Sequence, residues 1–176
     1  YFYLFTDYAG NNDCNEGGKG YCTSIDGSNC IGGTNTGATF KIQCPSGTYS
    51  SSSSSTTCTN VGFGYCASMT GNDGDCITAT GNGGSGIGAT HKARCGIGTY
   101  SAILNAVLCN FPGVGKCAAT SATGATACST SAASKSAIDC PAGTYSNVSG
   151  AVTAGCLNPG VGKCAATSAT GATACS

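Results

Sequence analysis

The chain has 176 residues, and more than half of them are Gly, Ala, Ser or Thr, whereas Leu, Ile, Val and Phe together number only 23. Seven basic residues balance seven acidic ones. This composition excludes a single large apolar core, the balanced charge is unlike that of a highly charged disordered chain, and the scattered basic residues argue against nucleic-acid binding.

The 15 cysteines are the residues most able to replace a core. No two of them are closer than eight positions, and His91 is the only histidine, so the closely spaced ligands of zinc or iron–sulfur sites are missing. We therefore expect disulfide bonds, an extracellular location and neither metal nor cofactor. No apolar run of about 18 residues occurs, which predicts no transmembrane segment.

Cysteine spacing divides the chain into four tandem units, numbered 1 to 4. Units 2 to 4 each begin with the pattern C-x-x-G-T-Y-S, which we call the opening segment, and each contains three further cysteines. Unit 1 has three cysteines that fit the second to fourth places of this frame, so it is a truncated repeat without an opening cysteine. The predicted units are 1–43, 44–94, 95–139 and 140–176.

Unit 1 begins with an aromatic cluster, since five of the 13 aromatic residues lie in the first eight positions. They either fill the small core of this unit or dock against another subunit in a polymer. The candidate self-association residues are Tyr1, Phe2, Tyr3, Phe5 and Tyr8. Phe5 falls where the other units have the tyrosine of the opening segment.

A G-x-G-x-C pattern, which we call the Gly turn, precedes the third cysteine of every unit, as in GKGYC at 18–22 and GFGYC at 62–66. Phosphate-binding loops also contain G-x-G, but they need a single copy between a strand and a helix. Four copies, each tied to a cysteine, indicate a tight turn with positive φ angles.

The segments before the opening cysteines, which we call linkers, resemble one another, with GATFKIQC at 37–44 and GATHKARC at 88–95. Their alternation predicts short strands. His91 aligns with Phe40 of the earlier linker, so we do not expect it to be catalytic. The segment PGVGKCAATSATGATACS occurs without a difference at 112–129 and 159–176, and its Thr and Gly residues favour an extended or hairpin loop over a helix.

Three polar segments are candidates for glycosylation or for ligand binding. The Ser50–Thr57 run suits O-glycosylation or an unmodified flexible loop. The acidic tract at 72–75 suits a turn better than a calcium site, because it lacks a closing Glu. Asn147 begins the one standard N-glycosylation sequon, in a loop expected to be exposed.

Together these patterns predict small disulfide-rich repeat modules of short β-hairpins and loops with little helix, arranged as an elongated, rod-like tandem array. Four cysteines in a unit allow three connectivities, so spacing leaves the pairing open.

The opening segment, followed by a cysteine about 14 residues later, resembles the cysteine-rich modules of tumour-necrosis-factor-receptor-like and ephrin-receptor-like proteins. In those modules the first two cysteines bond to each other. The pairs that this resemblance implies are Cys22–Cys30, Cys44–Cys58, Cys66–Cys76, Cys95–Cys109, Cys117–Cys128, Cys140–Cys156 and Cys164–Cys175. Cys14 would be unpaired or would form an intermolecular bridge.

Over essentially its whole length the chain also resembles the immobilisation (surface) antigens of ciliated protozoa, which combine CPAGTYS-like openings, Gly turns and filler rich in Thr, Ala and Ser. That resemblance implies a non-enzymatic, lipid-anchored glycoprotein of the cell or ciliary surface. The sequence has neither a secretory signal nor an anchor-directing tail, so we expect a processed chain or an interior stretch, with any anchor outside this segment.

The leading functional hypothesis is a structural coat protein that assembles with further copies or other coat proteins into a filament or layer. The alternative is a receptor or adhesin ectodomain that binds a protein or glycan along the rod, with Phe63 or Phe111 as an anchor. Near-identical repeats favour the coat. No constellation of residues supports an enzyme.

Overall fold

The computed structural model describes residues 4–5, 15–30, 32, 37–73, 76, 86–121, 127–147 and 156–165. Within these ranges the chain forms ten short strands, paired antiparallel in five two-stranded sheets, and no helix. The predicted small, disulfide-rich β fold is confirmed. The strands are β1 (Leu4–Phe5), β2 (Asn15–Glu16), β3 (Tyr21–Ser24), β4 (Phe40–Gln43), β5 (Thr48–Tyr49), β6 (Thr59–Asn60), β7 (Tyr65–Ser68), β8 (His91–Arg94), β9 (Lys116–Ala119) and β10 (Ser136–Asp139).

Each of units 1 to 3 contains an antiparallel pair of four-residue strands. The first strand begins at the residue before the third cysteine, and the second lies in the linker. The pairs are β3 with β4, β7 with β8 and β9 with β10. In all three the third cysteine of the unit lies on the first strand, opposite Ile42, Ala93 or Ile138 of the linker. The linkers are therefore strands, as their alternating pattern predicts.

A second, shorter pairing recurs in all four units between the aromatic residue of the opening segment and the residue after the second cysteine. The pairs are Phe5 with Asn15, Tyr49 with Thr59, Tyr100 with Asn110 and Tyr145 with Leu157. The N-terminal segment thus has the same local pairing as units 2 to 4.

Six disulfide bonds join described cysteines, and they are the ones that the resemblance to receptor modules implies: Cys22–Cys30, Cys44–Cys58, Cys66–Cys76, Cys95–Cys109, Cys117–Cys128 and Cys140–Cys156. Cys164 is also disulfide-bonded, whereas Cys14 and Cys175 lie outside the described residues. Bridges in this number indicate an oxidising, extracellular compartment.

The buried interior consists mainly of cysteine, alanine, serine and threonine side chains. One cluster contains the sulfur atoms of Cys66, Cys76, Cys95 and Cys109 together with Ala93. Val61 is the largest fully buried side chain in the described ranges. The few large apolar residues therefore do not build the core, and bridged cysteines take their place. The described part of the chain contains no helix long and apolar enough to cross a membrane.

Ala133 is the only non-glycine residue with a positive φ, 67°, in the described ranges. It lies seven positions before an opening cysteine, as do Gly37 and Gly88 in the other linkers, and their φ angles are 83° and 70°. The backbone of the third linker therefore keeps a left-handed conformation that the other two linkers adopt with glycine.

Candidate functional site: the interface between repeat units

The Gly turn of each of units 1 to 3 lies against the opening segment of the next unit. The second glycine of the turn donates its N–H to the carbonyl of the serine that ends that segment, and its own carbonyl accepts from the N–H of the opening cysteine. At the first boundary, Gly20 donates to Ser50 (2.8 Å) and accepts from Cys44 (2.9 Å). The same pair of bonds recurs at Gly64 with Ser101 and Cys95, and at Gly115 with Ser146 and Cys140.

Two more backbone bonds extend this contact at the first and second boundaries. At the first, Gly18 donates to the Ser53 carbonyl (2.7 Å) and Thr23 donates to the Ser55 carbonyl (2.9 Å). Unit 2 repeats the pattern on unit 3 with 2.9 Å bonds, in which Gly62 donates to Leu104 and Ala67 donates to Ala106. The interface therefore consists of main-chain hydrogen bonds, which different side chains can accompany. Ser53 and Leu104, for example, occupy equivalent positions in units 2 and 3.

Close approach of the two backbones requires glycine at the interface. A Cβ atom on Gly20 would lie 2.2 Å from the Gly88 carbonyl oxygen, and one on Gly64 would lie 2.4 Å from the Ala133 oxygen. Both glycines also have a φ of 79°. Glycine is needed here for two independent reasons, the left-handed conformation and the space taken by the neighbouring backbone. The predicted positive φ angles of the Gly turns are confirmed at every glycine of the four turns except Gly113.

Disulfide bonds of adjacent units lie against each other at the same boundaries. The Sγ atoms of Cys30 and Cys58 are 3.6 Å apart, and those of Cys128 and Cys156 are 3.5 Å apart. Groups of three sulfur atoms result, which resemble a metal-binding cluster in spacing. Every one of these cysteines is oxidised in a bridge, so none supplies the thiolate that binds a metal ion, and we interpret the groups as stacked bridges.

Inside unit 2, small residues from three segments form a second buried cluster. Val61, Ala67 and the linker residue Ala89 are at most 1 % exposed, with Tyr49 and Tyr65 packed against them. In unit 3 the linker residue Ser134 takes the place of Ala89 and is fully buried. In units 2 and 3 the linker thus completes the interior with one small side chain.

The residue before the third cysteine interacts with a charged residue of the facing linker, and the type of interaction differs between units. In units 1 and 2 it is a tyrosine, and a lysine ammonium lies over each ring: Lys41 is 5.1 Å from the centroid of Tyr21, and Lys92 is 4.6 Å from that of Tyr65. In unit 3 it is Lys116, which forms an ion pair with Asp139 at 2.6 Å.

A second surface ion pair joins Asp73 to Arg94. The Arg94 Nε donates to both carboxylate oxygens at 2.9 Å, and Nη2 donates to Oδ2. These hydrogen bonds hold the pKa of the Asp73 carboxyl below its usual value. Asp73 belongs to the acidic tract at 72–75, of which Gly74 and Asp75 lie outside the described residues.

The sequence-predicted site residues are distributed as follows. Asn147 is exposed and directly follows the opening segment of unit 4. His91 is half-buried, with Nδ1 2.8 Å from the Thr90 hydroxyl. Phe63 and Phe111 are 41 % and 46 % exposed. The side chains of the aromatic cluster, Tyr1, Phe2, Tyr3, Phe5 and Tyr8, lie outside the described residues.

The Ser50–Thr57 run differs from the flexible loop considered for it. Carbonyls of this run accept hydrogen bonds from unit 1, including Ser53 from Gly18 and Thr56 from Gly32. The run therefore forms the upstream face of unit 2. Sequence analysis missed this role because carbonyl groups carry no side-chain signal.

The sequence matches no known protein-family model and no curated protein.

Proposed function

We propose that this chain is a non-catalytic structural protein of an extracellular surface coat, built as an elongated array of repeats. The observation that carries the proposal is that, in the described ranges, every backbone hydrogen bond between units joins units adjacent in sequence. Contacts of this kind produce a stack that lengthens by adding units. Such a stack serves as a spacer or covering layer without a catalytic centre.

Surface labelling tests the location. Antibodies raised against the purified chain are applied to intact, unpermeabilised cells that produce it, and bound antibody is located by immunogold electron microscopy. A coat protein gives a continuous layer of label outside the membrane. Label that requires permeabilisation contradicts the proposal.

The ciliate immobilisation-antigen family is the specific form of this proposal. The recurring bridged units and the exposed Asn147 support it. We expect an N-linked glycan at Asn147 and a lipid anchor carried outside this segment. Peptide mapping before and after peptide-N-glycosidase treatment tests the first expectation, because release of a glycan converts Asn147 to Asp. A peptide that contains unmodified Asn147 in protein from its native source contradicts it.

Self-association into a filament or layer is the assembly that we propose for the chain. Light scattering over a concentration series, with negative-stain electron microscopy of the same samples, measures it. The matched variant replaces Phe2 and Tyr3 by Ser, and a polymer that uses the aromatic cluster becomes shorter or disappears. A strictly monomeric wild-type chain at high concentration overturns the proposed self-association.

The exposed rings of Phe63 and Phe111 favour the alternative function, a receptor or adhesin ectodomain. A glycan array and its repetition with the Phe63→Ala and Phe111→Ala variants distinguish the two functions. Selective binding that either variant abolishes supports the adhesin, and binding to no glycan supports the coat.

A further inference from the structure

The stacked bridges at the unit boundaries bring sulfur atoms of different disulfide bonds close together. At the first boundary the Sγ atoms of Cys30 and Cys58 are 3.6 Å apart, and at the third those of Cys128 and Cys156 are 3.5 Å apart. In each pair one cysteine is bridged inside its own unit and the other inside the next unit. Because a disulfide bond needs a separation of about 2.0 Å, a small movement of two side chains would join the units.

The three boundaries differ in how exposed these sulfur atoms are. Cys30 and Cys58 are partly exposed, and so are the two cysteines at the third boundary. At the second boundary the equivalent residues Cys76 and Cys109 are buried, although their Sγ atoms also lie within 4.8 Å of each other. A small thiol in solution can therefore attack the bridges at the first and third boundaries, whereas burial protects those at the second.

Chain connectivity favours a bond between units once one bridge at a boundary has opened. At the first boundary the native bridges join cysteines 8 and 14 positions apart, whereas Cys30 and Cys58 are 28 positions apart. At the third boundary the native separations are 11 and 16, compared with 28 for the pair in contact. When a single bridge remains, the one that closes the longer loop constrains the unfolded chain more and stabilises the fold more.

We propose that the first and third boundaries are thiol–disulfide exchange sites, at which a small thiol converts the bridges of two adjacent units into one bridge between them. The product is Cys30–Cys58 at the first boundary and Cys128–Cys156 at the third. The second boundary keeps its native bridges. The exchange joins neighbouring units covalently and is independent of the proposed surface-coat function.

The exchange at the first boundary takes three steps, and the reductant is an aliphatic thiol such as glutathione. Its thiolate attacks Cys30 Sγ, the bond to Cys22 breaks, and Cys22 leaves as a thiolate that takes a proton from water. A second thiol removes the first as a small-molecule disulfide and leaves Cys30 as a thiolate. Cys30 then attacks Cys58 Sγ, and Cys44 leaves and is protonated. Two thiols are thus oxidised to one disulfide, while two protein bridges become one bridge and two thiols.

Trypsin digestion detects the product, because a lysine separates the bridges of units 1 and 2. In the native pairing residues 20–41 contain one complete bridge and residues 42–92 contain two. Cleavage after Lys41 therefore separates these peptides, unless a bond between Cys30 and Cys58 links them.

The other two boundaries can be followed in the same digest. Residues 117–135 and 136–163 each contain one native bridge, and only an exchanged bond at the third boundary links them. Residues 95–116 also contain one native bridge. A link between them and residues 42–92 reports exchange at the second boundary.

The intact, oxidised chain is incubated with increasing concentrations of glutathione at about pH 8, where part of the thiol is ionised. Free thiols are then blocked with N-ethylmaleimide, and the tryptic peptides are analysed by mass spectrometry without reduction. We expect the linked peptides of the first and third boundaries at intermediate glutathione concentrations, with Cys22 and Cys44 alkylated. The linked peptides of the second boundary should be about tenfold rarer, because its bridges are buried.

A single variant tests the geometry without an external thiol. Cys44→Ser leaves Cys58 as a free thiol beside Cys30, and its thiolate should displace Cys22, so the linked peptides should form in the absence of glutathione. The matched variant Cys58→Ser frees the fully buried Cys44 instead and should not give the linked peptides. If either variant fails to fold, the glutathione series on the wild-type chain still decides.

Three results would overturn the proposed exchange. The first is reduction of the bridges without linked peptides at any glutathione concentration. The second is linkage in equal amounts at all three boundaries, or between units that are not adjacent, which would indicate unspecific reshuffling. The third is a linked product in Cys58→Ser that is as abundant as in Cys44→Ser.

Discussion

Two buried hydroxyl groups, Thr23 Oγ1 and Ser134 Oγ, have no hydrogen-bond partner in the described part of the chain. Both occupy positions where other units have alanine. Thr23 corresponds to Ala67, and Ser134 corresponds to Ala89. A buried hydroxyl without a partner costs stability because it loses its bonds to water. For each of these unpaired hydroxyl groups, another unit of the same chain therefore has an apolar side chain at the equivalent position.

We predict that Ser134→Ala stabilises the protein by about 1 kcal/mol, because it removes the unsatisfied hydroxyl and leaves the main-chain bonds intact. Ser101→Ala is the matched control. Ser101 is equally buried, but its hydroxyl donates to the Ile103 carbonyl at 3.1 Å, so its removal should cost about 1 kcal/mol. Urea midpoints of the oxidised proteins measure both. A loss of stability in Ser134→Ala would show that its hydroxyl is bonded in solution.

The ion pair of Asp73 predicts that the free energy of unfolding depends on pH. The pKa of Asp73 is lowered in the folded protein, so its contribution is present above the unfolded pKa of about 4 and is lost as the pH falls through the folded value. Both side chains are about half exposed, which keeps the contribution below about 1 kcal/mol. Asp73→Asn should therefore unfold at a lower urea concentration than wild type at pH 7 and at the same concentration near pH 2. A difference that is unchanged at pH 2 would contradict the ionic explanation.

At the scale of elements, the same turn occurs in different surroundings. The glycine of the opening segment has a φ of 80° at Gly47 and 81° at Gly143. A Cβ on Gly47 would lie 2.1 Å from the Asn105 carbonyl oxygen of the next unit, whereas a Cβ on Gly143 would meet nothing within 4 Å. Local conformation and contact between units can therefore be separated experimentally.

We predict that Gly143→Ala costs about 1–2 kcal/mol, which is the strain of a left-handed alanine. Gly47→Ala should cost about 1–3 kcal/mol more, because the neighbouring backbone must also move. Denaturant unfolding of the two variants, each compared with wild type, measures the difference. Equal losses would show that units 2 and 3 do not approach each other as closely in solution.

At the scale of the whole molecule, the stabilising interactions lie within single units or between units that are adjacent in sequence. Each unit has its own bridges, and backbone bonds couple it to its sequence neighbours. In such an array the loss of one interaction destabilises its own unit and the adjoining boundary. Its effect on the stability of more distant units is smaller. The bridges matter more than usual because few apolar side chains are buried.

Removal of one bridge tests this coupling. The bridge Cys66–Cys76 closes a loop with a sequence separation of ten, and the Cys66→Ser/Cys76→Ser protein should lose about 3 kcal/mol locally. Amide hydrogen exchange should become faster at Ala67 and Cys95, which bond across the boundary of units 2 and 3. It should stay slow at Gly115 and Cys140, whereas the Cys140→Ser/Cys156→Ser protein should show the reverse. Uniform acceleration in either variant would indicate a single cooperative domain.

The sequence by itself determined the repeat frame and the class of fold. Regular cysteine spacing, the tyrosine of each opening segment and the alternation of the linkers are local patterns, and the linker strands β4 and β8 follow from them. Spacing left three disulfide connectivities open, because it does not state which sulfur atoms meet. Only the tertiary structure decided that, and it also decided that Gly64 meets Ser101 and that the Ser50–Thr57 run faces unit 1. Those contacts join backbone groups, which are chemically the same in nearly every residue. The types of the residues therefore do not predict which backbone groups meet.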